Sequence, residues 1–192
     1  MPRIPALDTR VRPNIVIRDN VANQSDRSTG VPLNLIVLHS TESHNRPGNA
    51  DLAAIVGWFD NPEAQASSHV IVDADGNSAR CVPDAQKAWT CSSFNSASLN
   101  VEQIGYASEG RKAWRRNWKE LRETARWIAR WSHRHHIPIR RGSVSGSVVI
   151  RSGVVSHASL GAAGGGHHDP GDYPFRRVLL LARLYKLALR KD

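Results

Sequence analysis

The stretch LNLIVLHST, from Leu33 to Thr41, is the part of the sequence that decides the fold. Leu33–Leu38 is an apolar run with branched residues, which is typical of a β-strand buried on both faces of a sheet. Polar residues follow at once, from His39 to Thr41. Sites of α/β proteins form just past the ends of central strands, so we expect a functional site at this point.

Outward from this strand, strand and helix patterns alternate, which predicts a mixed α/β fold with a central mixed sheet flanked by helices. We predict helices at Asp51–Phe59, with Asn49 as N-cap, at Trp114–His136 and at Phe175–Arg190. We predict strands at Asn14–Ile17, at Val101–Ser108, twice within Val144–Val155, and as a hairpin at His69–Asp73 and Ser78–Val82.

The predicted helix Trp114–His136 has an apolar stripe beside a basic stripe. The apolar stripe comprises Trp114, Trp118, Leu121, Ala125 and Ile128. The basic stripe comprises Arg115, Lys119, Arg122, Arg126, Arg130 and Arg134. Such a stripe is commonly a solvated face, but its single sign and the flanking Trp127 and Trp131 also suit adhesion to a wall or membrane. The leucine-rich C-terminal helix is expected to dock on the sheet.

The chain has 192 residues, 40% of them hydrophobic and 22% charged, as expected for a globular protein with one sizeable domain. We expect residues 1–30 to be an extended N-terminal arm and residues 31–192 to be the domain, including its C-terminal helix. Cys81 and Cys91 are too few for a disulfide framework. They are either two reduced thiols or a single disulfide that forms after release of the protein.

The charge of the chain favours polyanionic partners. Lys and Arg number 26 and Asp and Glu number 17, which gives a net charge of +9. Nucleic acid, an anionic membrane and a bacterial wall all fit that charge, and charge does not choose among them. No apolar run approaches the roughly 20 residues of a membrane helix, and the N-terminus lacks the apolar core of a signal peptide. We therefore expect synthesis in a cytoplasm, with release by other means if the substrate lies outside.

Three residues far apart in the sequence are candidate metal ligands. His39 ends the buried strand, His157 follows the apolar strand in GVVSH, and Asp169 lies in HHDPG after a glycine-rich run. Two imidazoles and one carboxylate would leave one position of a zinc ion for water, as in catalytic sites. Surface or core histidines without a ligand remain an alternative for the spacing alone.

Six segments occur together in one order, and the set resembles type 2 N-acetylmuramoyl-L-alanine amidases. The segments are LIVLHST (35–41), SHVIVDADG (68–76), VP with AW (82–83 and 88–89), IG (104–105), SH (156–157) and DPG (169–171). The resemblance runs from about Leu33 to Phe175. That family shares its fold with peptidoglycan recognition proteins and includes many phage endolysins. The Arg-rich helix and the glycine-rich stretch are similar to endolysins of phages of actinobacteria.

The resemblance implies roles for individual residues. His39, His157 and Asp169 would hold zinc. His167, two positions before the third ligand, would stabilise the oxyanion as a hydrogen-bond donor, with His168 as its rival. The implied substrate contacts are Thr41, Trp89 and His69, although Trp89 also suits core packing and His69 also suits a buried, hydrogen-bonded strand position.

One departure from the family concerns the general base. Many relatives read Ile-Gly-Ile-Glu, whereas this chain reads Ile104-Gly-Tyr-Ala107, so the expected glutamate is Ala107. Strand side chains alternate, so Glu109 would share the face of Ala107, displaced by roughly 6–7 Å, and is the candidate base. Glu109 as a plain strand-end carboxylate is the alternative.

The resemblance therefore implies a zinc-dependent amidase that cuts the bond between N-acetylmuramic acid and L-alanine of bacterial peptidoglycan, as a phage endolysin. Its basic surface would hold anionic wall polymers, and we expect a monomer. A non-catalytic wall-binding module, favoured by Ala107, and a cytoplasmic wall-recycling amidase are alternatives. Nucleic acid is not an expected partner, because no recognised nucleic-acid motif is present.

Overall fold

A mixed six-stranded sheet forms the centre of the computed structural model, which describes the backbone of residues 15–17 and all of residues 21–189. The strands are β1 (Ile15–Ile17), β2 (Gln24–Asp26), β3 (Leu35–Ser40), β4 (Val70–Val72), β5 (Ser78–Arg80), β6 (Gln86–Ala88), β7 (Ser98–Gln103), β8 (Ser143–Ser145), β9 (Val148–Arg151) and β10 (Gly153–Ser156). The central order is β1-β5-β4-β7-β3-β10, and β2–β6 and β8–β9 form two small antiparallel pairs.

Parallel pairing dominates the middle of the sheet, and β3 lies between β7 and β10 with parallel neighbours on both sides. All six residues of β3 are buried, as the apolar run predicted. The predicted hairpin is confirmed, since β4 and β5 pair antiparallel. The mixed α/β architecture is confirmed as well.

The sheet separates two apolar layers, because alternate strand residues point to opposite faces. On one face, residues such as Ile36 and Leu38 pack with the helices that cover that side. On the other face, Leu35 and Val37 pack with Phe94 and Leu160. His39 continues the second series, so its side chain belongs to the face opposite the long helices.

The helices are α1 (Ala50–Asp60), α2 (Arg111–Arg116), α3 (Trp118–Arg134) and α4 (Phe175–Leu189). The prediction of one helix over Trp114–His136 was wrong, because the chain leaves helical geometry at Asn117 (φ −80°, ψ 48°). Asn49 does occupy the N-cap position of α1, but its side chain makes no capping bond and accepts from Asn77 Nδ2 instead (2.9 Å).

The helix α3 has buried side chains outside the predicted apolar stripe as well as within it. Leu121 and Ile128 are fully buried, and each contributes roughly 1.5–3 kcal/mol by leaving water. Trp118, assigned to the apolar stripe, is 46% exposed, whereas Trp127 and Trp131 are buried and are not available for adhesion. Trp118 is the first residue of α3, and the break at Asn117 separates it from Trp114 of the predicted stripe.

The basic stripe is not a simple solvated face either. Three of its arginines lie over aromatic rings, at 5.0–5.3 Å from the ring centroids. They are Arg122 over Trp118, Arg126 over Tyr185 and Arg130 over Trp127. Tyr185 belongs to α4. This helix was predicted to dock on the sheet, but it packs on α3 instead, where Val178 and Ala182 are fully buried. Of these three contacts, the one between Arg126 and Tyr185 joins the two helices.

Part of the predicted arm contacts the domain closely. The strand β1 pairs with β5, which agrees with the predicted strand Asn14–Ile17, and β2 pairs with β6. Arg27 donates to the backbone oxygens of Asp84, Asn95 and Ser96. The division into an arm at residues 1–30 and a domain at residues 31–192 stays a prediction, and residues 1–14 and 18–20 lie outside the described part.

Two further expectations concern cysteines and membranes. Cys81 and Cys91 are both buried and both free of a disulfide, which matches the first alternative. Within the described residues, no helix combines the length and the apolar character that crossing a bilayer requires.

Candidate metal centre

Strand register brings two of the predicted ligands together. Ser156, the last residue of β10, lies opposite Leu38 of β3, so the next residues along the two strands, His157 and His39, become neighbours. The rings meet edge to face with centroids 4.5 Å apart. Asp169 reaches the same point from the loop before α4, and its backbone oxygen accepts from Ala158 N–H (2.9 Å). The parallel register of β10 against β3 thus determines where the histidines converge.

The three side chains present their ligand atoms to one another. His39 Nδ1 lies 3.0 Å from His157 Nδ1 and 3.5 Å from Asp169 Oδ2. His157 Nδ1 lies 3.1 Å from Asp169 Oδ1. All three residues are buried. Among the described residues, this is the group of histidine, cysteine and acidic side chains whose geometry suits a metal ion.

The hydrogen bonds of the two Nε2 atoms determine the tautomers of His39 and His157. His157 Nε2 lies 2.9 Å from the backbone oxygen of Gly164, and His39 Nε2 lies 3.0 Å from Asn100 Oδ1. Since both oxygens can only accept, both Nε2 atoms carry the proton and both Nδ1 atoms present lone pairs. A histidine that binds a metal usually donates its other ring N–H to a carbonyl or carboxylate oxygen in this way, which fixes the orientation of the ring.

These donors fit zinc. Two lone pairs and a carboxylate facing one another at 3.0–3.5 Å repel each other unless a cation lies between them. Tetrahedral zinc with ligand bonds of about 2.0–2.2 Å places neighbouring ligand atoms roughly 3.3 Å apart, which matches these separations. Two imidazoles and one carboxylate leave a coordination position that no described side chain takes.

Charges around the three ligands favour the metal-binding protonation states. Burial, the largest influence, lowers the pKa of His39, so its ring is neutral at pH 7. Asp169 binds a metal as the carboxylate, and a hydrogen-bond donor at this group favours that ionised form. Ser40 N–H donates to Asp169 Oδ2 (3.2 Å).

The loop that carries Asp169 is fixed by a glycine. Gly171 has φ +65°, a left-handed conformation, and a Cβ at this position would collide with the backbone oxygen of Ala107. The DPG motif therefore lets the loop lie directly against the chain after β7. Any other residue at position 171 would push Asp169 away from the two histidines.

Glu102 is the site residue that the sequence reasoning missed. It lies opposite His39 in the register of β3 and β7, and its Oε1 is 3.9 Å from His39 Nδ1. Its side chain is only 12% exposed, and its Oε2 has no hydrogen-bond partner within the described chain. Burial, and then the charges of Asp169 and Glu42, raise the pKa of Glu102 well above its ordinary value.

The structure does not provide the strand geometry from which Glu109 was predicted as the base. The strand β7 ends at Gln103, so the alternation that linked Ala107 to Glu109 does not apply. Glu109 follows a turn in which its N–H donates to Tyr106 O (3.0 Å), and it does not line the cleft that contains Glu102. The family pattern in which a glutamate follows an aliphatic residue, expected to end at position 107, ends instead at Glu102. The segment that carries it is Leu99–Glu102, five residues earlier in the sequence.

An open cleft of about 740 Å³ adjoins the three ligands. Thr41 and Trp89, both predicted substrate contacts, line it. Trp89 is partly exposed, and its Nε1 donates to Ser25 Oγ (2.9 Å). The opposite wall comes from α1, where Trp58 is 56% exposed beside Ile55. Two tryptophans, Trp58 and Trp89, thus line the cleft that adjoins the metal centre.

His167 lines the same cleft, whereas His168 is exposed and does not. The ring of His167 stacks on that of His157, with centroids 4.2 Å apart and planes 16° from parallel. Its Nδ1 lies 3.9 Å from Asp169 Oδ1, and its side chain is 58% exposed. Of the two rivals, His167 is therefore the one placed to act on a bound substrate.

His69 is not a surface contact, which corrects the predicted role. It is fully buried and lies behind Asn100, whose N–H donates to His69 Nδ1 (3.1 Å). Burial, with the charge of Arg27, lowers the pKa of His69 to about 3. Because Asn100 in turn accepts from His39, the neutral His69 ring supports a metal ligand from inside the fold.

Comparison with known proteins places these features in a family. Residues 29–172 match the family described as N-acetylmuramoyl-L-alanine amidase. N-acetylmuramoyl-L-alanine amidase A of Achromobacter lyticus is 28% identical over 92 residues, which are 47% of this chain and 48% of that protein. The chain thus spans about half the length of this curated relative.

Solved structures of low identity share the fold. Staphylococcus aureus hydrolase AmiA, solved with its ligand, is 17% identical with a TM-score of 0.67 over 91% of this chain and 85% of that one. Drosophila peptidoglycan recognition protein SD is 15% identical with a TM-score of 0.62 over 87% and 94%. The matched region contains all three candidate ligands and Glu102, and the chain belongs to the N-acetylmuramoyl-L-alanine amidase family.

Proposed function

We propose that the chain is a zinc-dependent N-acetylmuramoyl-L-alanine amidase that hydrolyses the amide between the lactyl group of N-acetylmuramic acid and L-alanine in peptidoglycan. The observation that carries the proposal is the convergence of His39, His157 and Asp169 at one end of an open cleft, with the Glu102 carboxylate beside them. This set supplies every group that metal-assisted amide hydrolysis requires.

The metal and Glu102 would have separate roles in the hydrolysis of the amide. When bound, zinc would supply a Lewis acid that lowers the pKa of water and polarises a carbonyl. Glu102 takes the proton of the attacking water and delivers it to the departing amine of L-alanine. Its raised pKa suits this exchange, because a base works best when its pKa approaches the working pH.

His167 acts on the carbonyl side of the scissile bond. An imidazole N–H donates a hydrogen bond to the oxygen that becomes negative as water adds, and the donation is stronger from the protonated ring. Thr41 and Trp89 position the substrate along the cleft wall. Family membership supports the choice of substrate class.

Glu102 also bears on the alternative of a non-catalytic wall-binding module. That reading depended on a missing glutamate at Ala107, and Glu102 supplies a carboxylate beside His39 instead. The absence of a glutamate at position 107 therefore no longer favours a non-catalytic module.

Mass spectrometry of purified peptidoglycan after digestion tests the activity. The amidase must release stem peptides with a free L-alanine amino terminus and leave intact glycan chains. Cleavage within the glycan, or between other residues of the stem, would reject the proposal. A variant that lacks two ligands, His39→Ala with Asp169→Ala, serves as the control for contaminating hydrolases.

We also propose that the protein acts as a phage endolysin on intact walls, made in the host cytoplasm and released when the membrane is breached. A recycling amidase acts on small soluble fragments instead. Comparing rates on intact walls and on a soluble muramoyl-peptide separates the two. A strong preference for the soluble fragment would reject the endolysin role.

A further inference from the structure

A second concave surface adjoins the loop that carries Asp169. We name it the arginine pocket; its volume is about 690 Å³. Five arginines line it, and they come from α2, the segment before β8 and the start of α4: Arg111, Arg115, Arg141, Arg176 and Arg177. Ser156, which precedes His157, and Gly171, the glycine of the DPG motif, also line it. The pocket and the substrate cleft therefore lie against the same loop.

The positive charge of the arginine pocket is mostly uncompensated. Asp172 pairs with Arg111, whose Nη2 lies 2.6 Å from Asp172 Oδ1. Across residues 21–189, no carboxylate lies within 4.0 Å of the other four guanidinium groups. Arg141 instead lies over the Phe175 ring, 3.7 Å from its centroid. Partial burial lowers the pKa of Arg141, and no carboxylate opposes that effect.

Four unpaired cations around one cavity repel each other, so the arrangement favours an anion as occupant. All the cations are arginines, whose planar guanidinium groups bind phosphate or carboxylate oxygens with two hydrogen bonds. A solvated basic face does not need a concave shape, nor cations from three separate elements. The arginine pocket has both features.

The number of cations favours a polymer with many anionic groups over a lone carboxylate. A single carboxylate offers two oxygens and one charge, which would leave most of the four guanidinium groups without a partner. A chain of phosphodiesters offers a charge at every unit and matches several arginines at once. The net charge of +9 acts in the same direction over a longer range.

We propose that the arginine pocket binds the phosphate groups of a phosphodiester polymer attached to the bacterial wall. The proposal rests on the proposed function only for the identity of the wall as target. Bound phosphates would hold the wall at the Asp169 loop, with the metal centre on the other side of that loop. This site replaces the predicted stripe of α3 as the main contact with anionic wall polymers.

Co-sedimentation with walls tests the proposal with two triple variants of equal charge. The pocket variant is Arg115→Gln, Arg176→Gln and Arg177→Gln. The control variant is Lys112→Gln, Arg116→Gln and Arg151→Gln, three exposed cations that do not line the pocket. Each protein is mixed with intact teichoic-acid-bearing walls and with the same walls stripped of phosphodiester polymers by hydrofluoric acid. Circular dichroism establishes that both variants are folded.

The wild type and the control variant should bind intact walls about tenfold or more tightly than stripped walls, and the pocket variant should lose this preference. Equal losses in the two variants would overturn the proposal in favour of unspecific charge. A pocket variant weakened equally on both walls would overturn it in favour of peptidoglycan carboxylates. Cleavage of a soluble muramoyl-peptide, measured in parallel, reports the proposed function separately, because binding does not depend on it.

Discussion

Replacing Glu102 with glutamine removes the proposed base while keeping the size of the side chain. Glu102 Oε2 has no hydrogen-bond partner in the described chain, so the change breaks no internal bond at that atom. Glu102 is no ligand in the proposed centre, and zinc should stay stoichiometric. General-base catalysis is worth about 10²–10⁴ in rate, so kcat should fall by that factor, or about 3–5 kcal/mol.

Initial rates of L-alanine amino-terminus release from purified peptidoglycan measure the loss. In the wild type, the rate should rise with pH as the Glu102 carboxyl ionises, and its raised pKa places that rise above the usual range of a glutamate. The variant should lack this rise. Glu109→Gln is the matched control, because Glu109 does not line the cleft. A large loss in Glu109→Gln together with near-normal activity in Glu102→Gln would refute the assignment.

Three further changes test the surroundings of the site. Burial raises the pKa of Glu120 well above its ordinary value, so the fold loses stability as pH rises above about 4.5. Glu120→Gln should raise Tm at pH 8 and hardly at pH 4.5; an equal gain at both pH values would contradict this. Asn100→Leu removes the acceptor of His39 Nε2 and should weaken zinc binding about 10–100-fold in a chelator competition; unchanged affinity would count against it. Trp58→Ala removes an exposed wall of the cleft, so KM should rise while Tm and kcat stay constant; a lower kcat at unchanged KM would show another role.

The features that the sequence predicted depend on local patterns. The apolar run before His39 and the hairpin around Gly76 each specify their own conformation within a few residues. The candidate ligands lie at the ends of such elements, and the structure brings them together as expected.

The features that were missed depend on how distant segments meet. Glu102 acquires its place from the register of β7 against β3, which no single segment encodes. The sequence left His69 between a substrate contact and a buried position, and the fold buries it completely. Trp118 was placed in the core because one long helix was assumed, whereas it is the first residue of α3 and is 46% exposed. In each case tertiary packing decided what the local pattern left open.

Zinc content is the most direct measure of the central claim. The protein is purified without added metal, equilibrated with limiting zinc, dialysed and analysed by plasma emission spectrometry, beside the variants His39→Ala, His157→Ala and Asp169→Ala. The wild type should retain one zinc ion per chain, and each variant should retain far less while keeping a folded circular dichroism spectrum. Variants that hold zinc as firmly as the wild type would contradict the claim that these three side chains form the metal centre.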